Sequence, residues 1–142
     1  MAGKTKGNQK TKSAPFVSLP KAMVQSPGYR SLSFSARVVL TEILCQYNGR
    51  NNGDLSATRT MAKDWGIASD NTLKKALDEL QAAGWLVMTR ESFFSRHGGR
   101  CALYAVSWIP IDDCPDKDLS IEPTKAPLRP LHTLLNSISS CA

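Results

Sequence analysis

A chain of 142 residues has room for one compact domain of about 100 residues with tails, which argues against a two-domain enzyme. Its 18 Lys+Arg against 12 Asp+Glu, a net charge of +6, favour a polyanionic partner such as nucleic acid or an acidic protein surface. No apolar run approaches the roughly 18 residues of a membrane helix, the opening MAGKTKGNQKTK lacks the apolar segment of a secretory signal, and cysteines at 45, 101, 114 and 141 form neither a C-x-x-C knuckle nor a disulfide scaffold; a soluble cytoplasmic protein with reduced cysteines is expected.

Residues 1–29 hold five lysines and no acid, 30–108 ten bases and seven acids, and 109–142 three bases and five acids. The basicity is thus concentrated in an N-terminal arm carrying Lys4, Lys6, Lys10, Lys12 and Lys21. Gly, Asn, Gln, Ser and Thr between these lysines leave residues 1–14 too little apolar surface to offset ordering entropy, so this arm is expected to be disordered when free. Its lysines would meet phosphate as point charges, adding affinity and salt dependence without selectivity.

Ala36, Val39, Leu40, Ile43, Leu44 and Tyr47 fall at i, i+3, i+4, i+7, i+8, i+11, one stripe of a helix. Ser33 or Ser35 supplies its N-cap hydroxyl, and Gly49 the residue that stops it. After the turn Arg50–Asp54, a short helix is expected from about Ala57 to Trp65 behind Ser56, with Met61, Ala62 and Trp65 inward and Gly66 ending it. Ser69 caps a third helix, Asp70 in its first turn favours the helix dipole, and Leu73, Ala76, Leu77 and Leu80 form its buried stripe up to Gly84. Residues 85–90 and 101–108 are rich in β-formers and flank Glu91–Arg100 with its Gly98-Gly99, which reads as one hairpin. Trp65, Trp85 and Trp108 stand at element ends as core-closing side chains, and Cys45 is assigned to the same packing role. Five prolines, at 110, 115, 123, 127 and 130, make 109–130 a linker or an extended strap. Within 131–142, Leu131, Leu134, Leu135 and Ile138 repeat at helical spacing behind Pro130. Too short to be stable alone, that segment either docks back on the domain, forms a dimer helix, or enters a partner's groove as a peptide.

Helix, helix, short turn, helix, hairpin is the order of a winged helix-turn-helix, and the run from Leu55 to Leu86, densest at Gly66–Leu86, resembles the G-I-S turn and S-x-x-T-V-x-x-A-L-x-x-L-x-x-x-G-(W/L)-L pattern of bacterial winged-helix proteins. GntR-type regulators are the nearest shape. Phe16-Val-Ser-Leu-Pro-Lys followed by Tyr29-Arg-Ser-Leu is similar to small phage and plasmid helix-turn-helix proteins. The expected fold is therefore α+β, with three helices and a two-stranded wing over residues 15–108, preceded by the arm and followed by the Pro-rich extension with its short terminal helix.

The resemblance implies a third helix, 69–83, lying in the DNA major groove. Helical geometry from Leu73 puts Asn71, Lys75 and Asp78 opposite the core with Lys74 to one side. Asn71 suits adenine, and Lys74 or Lys75 suits guanine or phosphate. The family pattern carried over by position adds Ser69 and Thr72, while Asp70 stands where GntR-type proteins usually have arginine. That aspartate either accepts from cytosine N4 or caps the helix and repels phosphate. On the wing, Arg90, Arg96, His97 and Arg100 surround a glycine turn and would contact the DNA backbone or minor groove. Against such a phosphate clamp, and with about equal weight, the adjacent Phe93 and Phe94 read as a protein contact or a local mini-core.

No G-x-x-x-x-G-K-[ST], G-x-S-x-G or H-E-x-x-H occurs and only two histidines are present, so neither an enzyme nor a cofactor or metal site is expected. The first functional reading is a double-stranded DNA-binding protein of a phage or plasmid, a transcriptional regulator or replication-associated factor at the nucleoid. The alternative is a winged-helix interaction module that docks on a host nucleoprotein complex and inhibits it, using Phe93, Phe94 or the 131–138 segment, with homodimerisation through that segment also open.

Overall fold

A computed structural model describes residues 14–136; Lys4, Lys6, Lys10, Lys12 and Ile138 lie outside the described residues. Two short helices come first, α1 (Lys21–Val24) and α2 (Pro27–Arg30). The buried Ser26 hydroxyl accepts from Tyr29 N at 3.2 Å and donates to Met23 O at 2.6 Å, closing one helix and capping the next. Four-residue helices carry no readable period, which is why the sequence does not announce them.

Helix α3 (Phe34–Gln46) buries Ala36, Val39, Leu40, Ile43 and Leu44. Of its two candidate caps Ser33 is the one used, its Oγ accepting from Ala36 N at 3.2 Å. Tyr47 leaves the helix and Gly49 turns the chain at φ +94°. Next come strand β1 (Leu55–Ser56) and helix α4 (Arg59–Asp64). The helix begins later than expected because Gln46 and strand pairing hold Ser56: its N–H donates to Gln46 Oε1 at 3.0 Å and it pairs with Leu103. Thr58 is the cap instead, accepting from Met61 N at 3.2 Å. Ala62 is buried, whereas Met61 and Trp65 are half-buried. Helix α5 (Asp70–Ala82) starts at Ser69, whose Oγ accepts from Thr72 N at 3.4 Å, and buries Leu73, Ala76, Leu77, Leu80 and the charged Glu79.

Strands β2 (Leu86–Arg90), β3 (Phe93–Ser95), β4 (Gly98–Arg100) and β5 (Leu103–Val106) follow. β5 is central in an antiparallel sheet of order β1-β5-β2, with Leu55 and Met88 both opposite Tyr104. All four β5 residues are buried, as a strand covered on both faces requires. The expected hairpin is thus β2 with β5, and two features go beyond it. β1 adds a third strand, and residues 91–100 form their own β3-β4 hairpin rather than a loop. Among the described residues the result is an α+β fold of six helices and two small antiparallel sheets.

Residues 109–130 carry neither helix nor strand, and of the two possibilities they run as a packed strap. Ile111 is 2% exposed. The strap's Asp112 N–H donates to Asn52 O at 2.9 Å and its Oδ2 accepts from Asn52 N at 2.8 Å. Further on, Ser120 donates to the Thr89 carbonyl twice, from N at 2.7 Å and Oγ at 2.9 Å. Thr89 is free for this because β2 bulges between Met88 and Arg90, taking its carbonyl out of the ladder with β5. Finally Arg129 N donates to Ser107 O at 3.0 Å and its Nη1 reaches Ala83 O at 3.4 Å, one of the open carbonyls ending α5.

The strap delivers helix α6 (Leu131–Leu135) to α1 and α2. Leu134 is fully buried in the common core, with Leu131 and Leu135 packed against it. The described part of this segment thus docks on its own domain. Trp85, also fully buried, stands edge-on to Tyr29 and Trp108 at 6.4 and 5.6 Å between ring centroids. Cys45 is exposed, contrary to its expected packing role: it lies beyond the buried stripe, on the open side of α3.

Candidate nucleic-acid interface

Helices α4 and α5 are joined by the five residues Trp65–Ser69, with Gly66 at φ +88° making the turn and Ile67 buried beneath it. This anchors one side of α5 and leaves Ser69, Asn71, Lys74, Lys75 and Asp78 exposed, with Thr72 half-buried. The face expected from helical geometry and the observed one agree. The charges on it are arranged in pairs. Lys74 Nζ lies 2.9 Å from Asp78 Oδ2, one turn on, and Asp70 Oδ2 lies 3.3 Å from Arg59 Nη1 on α4. Both pairs are largely exposed, so each is worth little and opens readily to a stronger partner. Asp70, in the first turn of the helix that Ser69 caps, thus pairs across the turn. Lys75 makes no ion pair among the described residues.

The hairpin carries the other expected contacts, and its four basic residues divide. Arg90 is half-buried and inward-turned: Nε and Nη2 donate to Cys101 O at 3.2 and 2.8 Å, and Nη1 donates to Lys117 O at 3.2 Å. Its guanidinium fastens the hairpin's base to the strap. Arg100 Nη1 pairs with Asp118 of the strap at 2.8 Å. Arg96 and His97 lie exposed at the β3-β4 turn, and among the described residues the Arg96 side chain has no hydrogen bond or ion pair. Residues 91–100 are all exposed. Phe93 and Phe94, at 58% and 84% exposure, form no mini-core.

Three polar side chains that sequence reasoning does not single out hold these surfaces. Glu79, 8% exposed on α5, grips the start of α3: its Oε2 accepts from Ser33 Oγ at 2.6 Å and Oε1 from Ser33 N at 3.1 Å. Asn52, fully buried, donates from Nδ2 to the carbonyls of Val106, Ile109 and Pro110 and accepts from Val106 N at 2.8 Å. It welds the turn before β1 to the end of β5. Arg129 covers Gly84, where φ is +84° and a Cβ would stand 2.1 Å from Nη1. Glu79 borders the buried stripe at i+3 from Ala76, which is a faint signal. Asn52 has none, since Asn51 beside it has the same turn chemistry.

Partial desolvation pushes the Cys45 thiol up although the residue is exposed overall, with Glu42 adding to the effect, and burial then Asp54, Asp112 and Asp113 push Cys114 up against the opposing Lys117. Among the described residues no group of three or more His, Cys, Asp or Glu is placed to hold a metal ion, and no helix is long and apolar enough to cross a membrane. No family model, curated protein or solved structure matches this chain.

Proposed function

We propose that the domain is a winged helix-turn-helix that binds double-stranded DNA, with α5 in the major groove and the β3-β4 hairpin as the wing, and that it serves a phage or plasmid as a transcriptional regulator or replication-associated factor. The observation that carries this reading is the open N-terminal face of α5. Asn71, Lys74 and Lys75 project from a helix whose opposite side is anchored in the core and whose start is fixed by a short turn from α4. Asn71 has the paired donor and acceptor that adenine presents in complement, and the two lysines serve guanine or phosphate. Arg96 and His97 add charge at the wing.

The test is fluorescence anisotropy of the full-length protein on duplex DNA, beside the Lys74→Glu/Lys75→Glu variant. Both lysines are exposed, so the variant should keep its circular dichroism and lose at least about tenfold in affinity. Unchanged affinity would sink the reading. Docking on a host nucleoprotein complex is the second reading, favoured by one observation: Phe34 at 82% and Val38 at 39% exposure form an uncovered apolar stretch on α3. In that case Phe34→Ser would abolish complex capture while DNA affinity stayed absent or weak.

A further inference from the structure

The β3-β4 hairpin has two unlike faces. Residues directly opposite on paired strands share a face, and Phe93 stands opposite Arg100 whereas Phe94 stands opposite Gly99. Arg100 is held by Asp118, so the Phe93 face is the one turned to the strap, which agrees with its lower exposure. Phe94 occupies the other face and is 84% exposed. The residue opposite has no side chain, and one edge of the ring lies over it, a Cβ on Gly99 falling within 2.9 Å of the Phe94 ring edge, so the ring rests on the hairpin with its outer face in solvent. Two residues further on, the turn carries Arg96 and His97, both exposed. An exposed phenyl ring beside cations, on a hairpin that buries none of its residues, has the make-up of a side chain that enters between bases while its neighbours hold phosphate.

We propose that Phe94 is a wedge that inserts between adjacent base pairs of duplex DNA, unstacking one step and unwinding the helix there. This rests on the DNA-binding reading and adds a deformation to it. The ring supplies the apolar surface, Arg96 and His97 hold the flanking phosphates, and Gly99, lacking a side chain, seats the ring edge. Phe93, on the strap side, takes no part. A wedge of this kind would let the protein bend or open its site as well as occupy it.

Unwinding is read without a known target sequence. Closed-circular plasmid is relaxed by topoisomerase I in the presence of saturating full-length protein, then stripped of protein, and its linking number is read on a gel; anisotropy on linear duplex is measured in parallel. The wild type and Phe93→Ala should leave the plasmid negatively supercoiled. Phe94→Ala should lose that shift while weakening duplex binding by no more than about tenfold, and Phe94→Trp should retain it. Duplex binding with no linking-number shift, or a shift that survives Phe94→Ala, overturns the wedge and leaves the DNA-binding reading standing. Absence of duplex binding by the wild type overturns both.

Discussion

Among the described residues the acidic side chain buried most deeply is Glu79, and its position decides how two helices meet. A carboxylate that is almost fully buried must be matched by donors, because its desolvation is otherwise costly. Ser33 supplies two of them, while its own Oγ accepts from Ala36 N. One serine thus caps α3 and binds α5 at once. Ser33→Ala should cost about 1–2 kcal/mol of stability and Glu79→Ala about 3 kcal/mol, with the double variant less destabilised than the sum by about 1 kcal/mol or more. Urea denaturation of the four proteins gives the coupling; strict additivity would mean that the pair does not act as a unit. Nothing in the sequence joins residues 33 and 79, which lie 46 positions apart. A capping serine is legible from its neighbours, but the carboxylate that holds it is known only once α3 and α5 have been packed.

Helices with a full period are legible as elements, and those without one are not. α3 and α5 announce themselves by apolar spacing over 13 residues each, while α1, α2 and β1 are too short to show a pattern and exist because neighbours cover them. The β3-β4 hairpin is hidden differently: its three-residue strands have no buried face, so no alternation marks them. On the interface, the exposed side of α5 follows from geometry alone. The internal use of Arg90 does not, because its acceptors are main-chain carbonyls and one belongs to the strap. α6 combines both cases, its leucine spacing legible and its destination not. Leu134→Ala should destabilise the domain by about 2–5 kcal/mol, whereas Leu128→Ala, at an exposed strap position, should change stability by less than about 0.5 kcal/mol. Chemical denaturation distinguishes them; equal effects would contradict the docking of α6.

Across the whole molecule charge is laid out unevenly. Four lysines of the arm precede the domain, and the strap carries Asp112, Asp113, Asp116, Asp118 and Glu122 against Lys117 and Lys125. On the proposed DNA the arm and α5 would supply the counterion release, while one of the strap's acids, Asp118, is paired with Arg100. Removing residues 1–14 should therefore flatten the log–log dependence of DNA affinity on salt by as much as about four, roughly 0.9 for each phosphate that an arm lysine neutralises, without abolishing binding. Anisotropy at several salt concentrations measures both slopes, and identical slopes would take the arm out of the interface. The strap has another consequence, felt during synthesis. Because α6 arrives only after residues 109–130 and then fills the space beside α1 and α2, the chain emerging from a ribosome carries an open apolar socket until Leu134 is out. Until then the space beside α1 and α2 lacks Leu134, the fully buried side chain that α6 brings to the core.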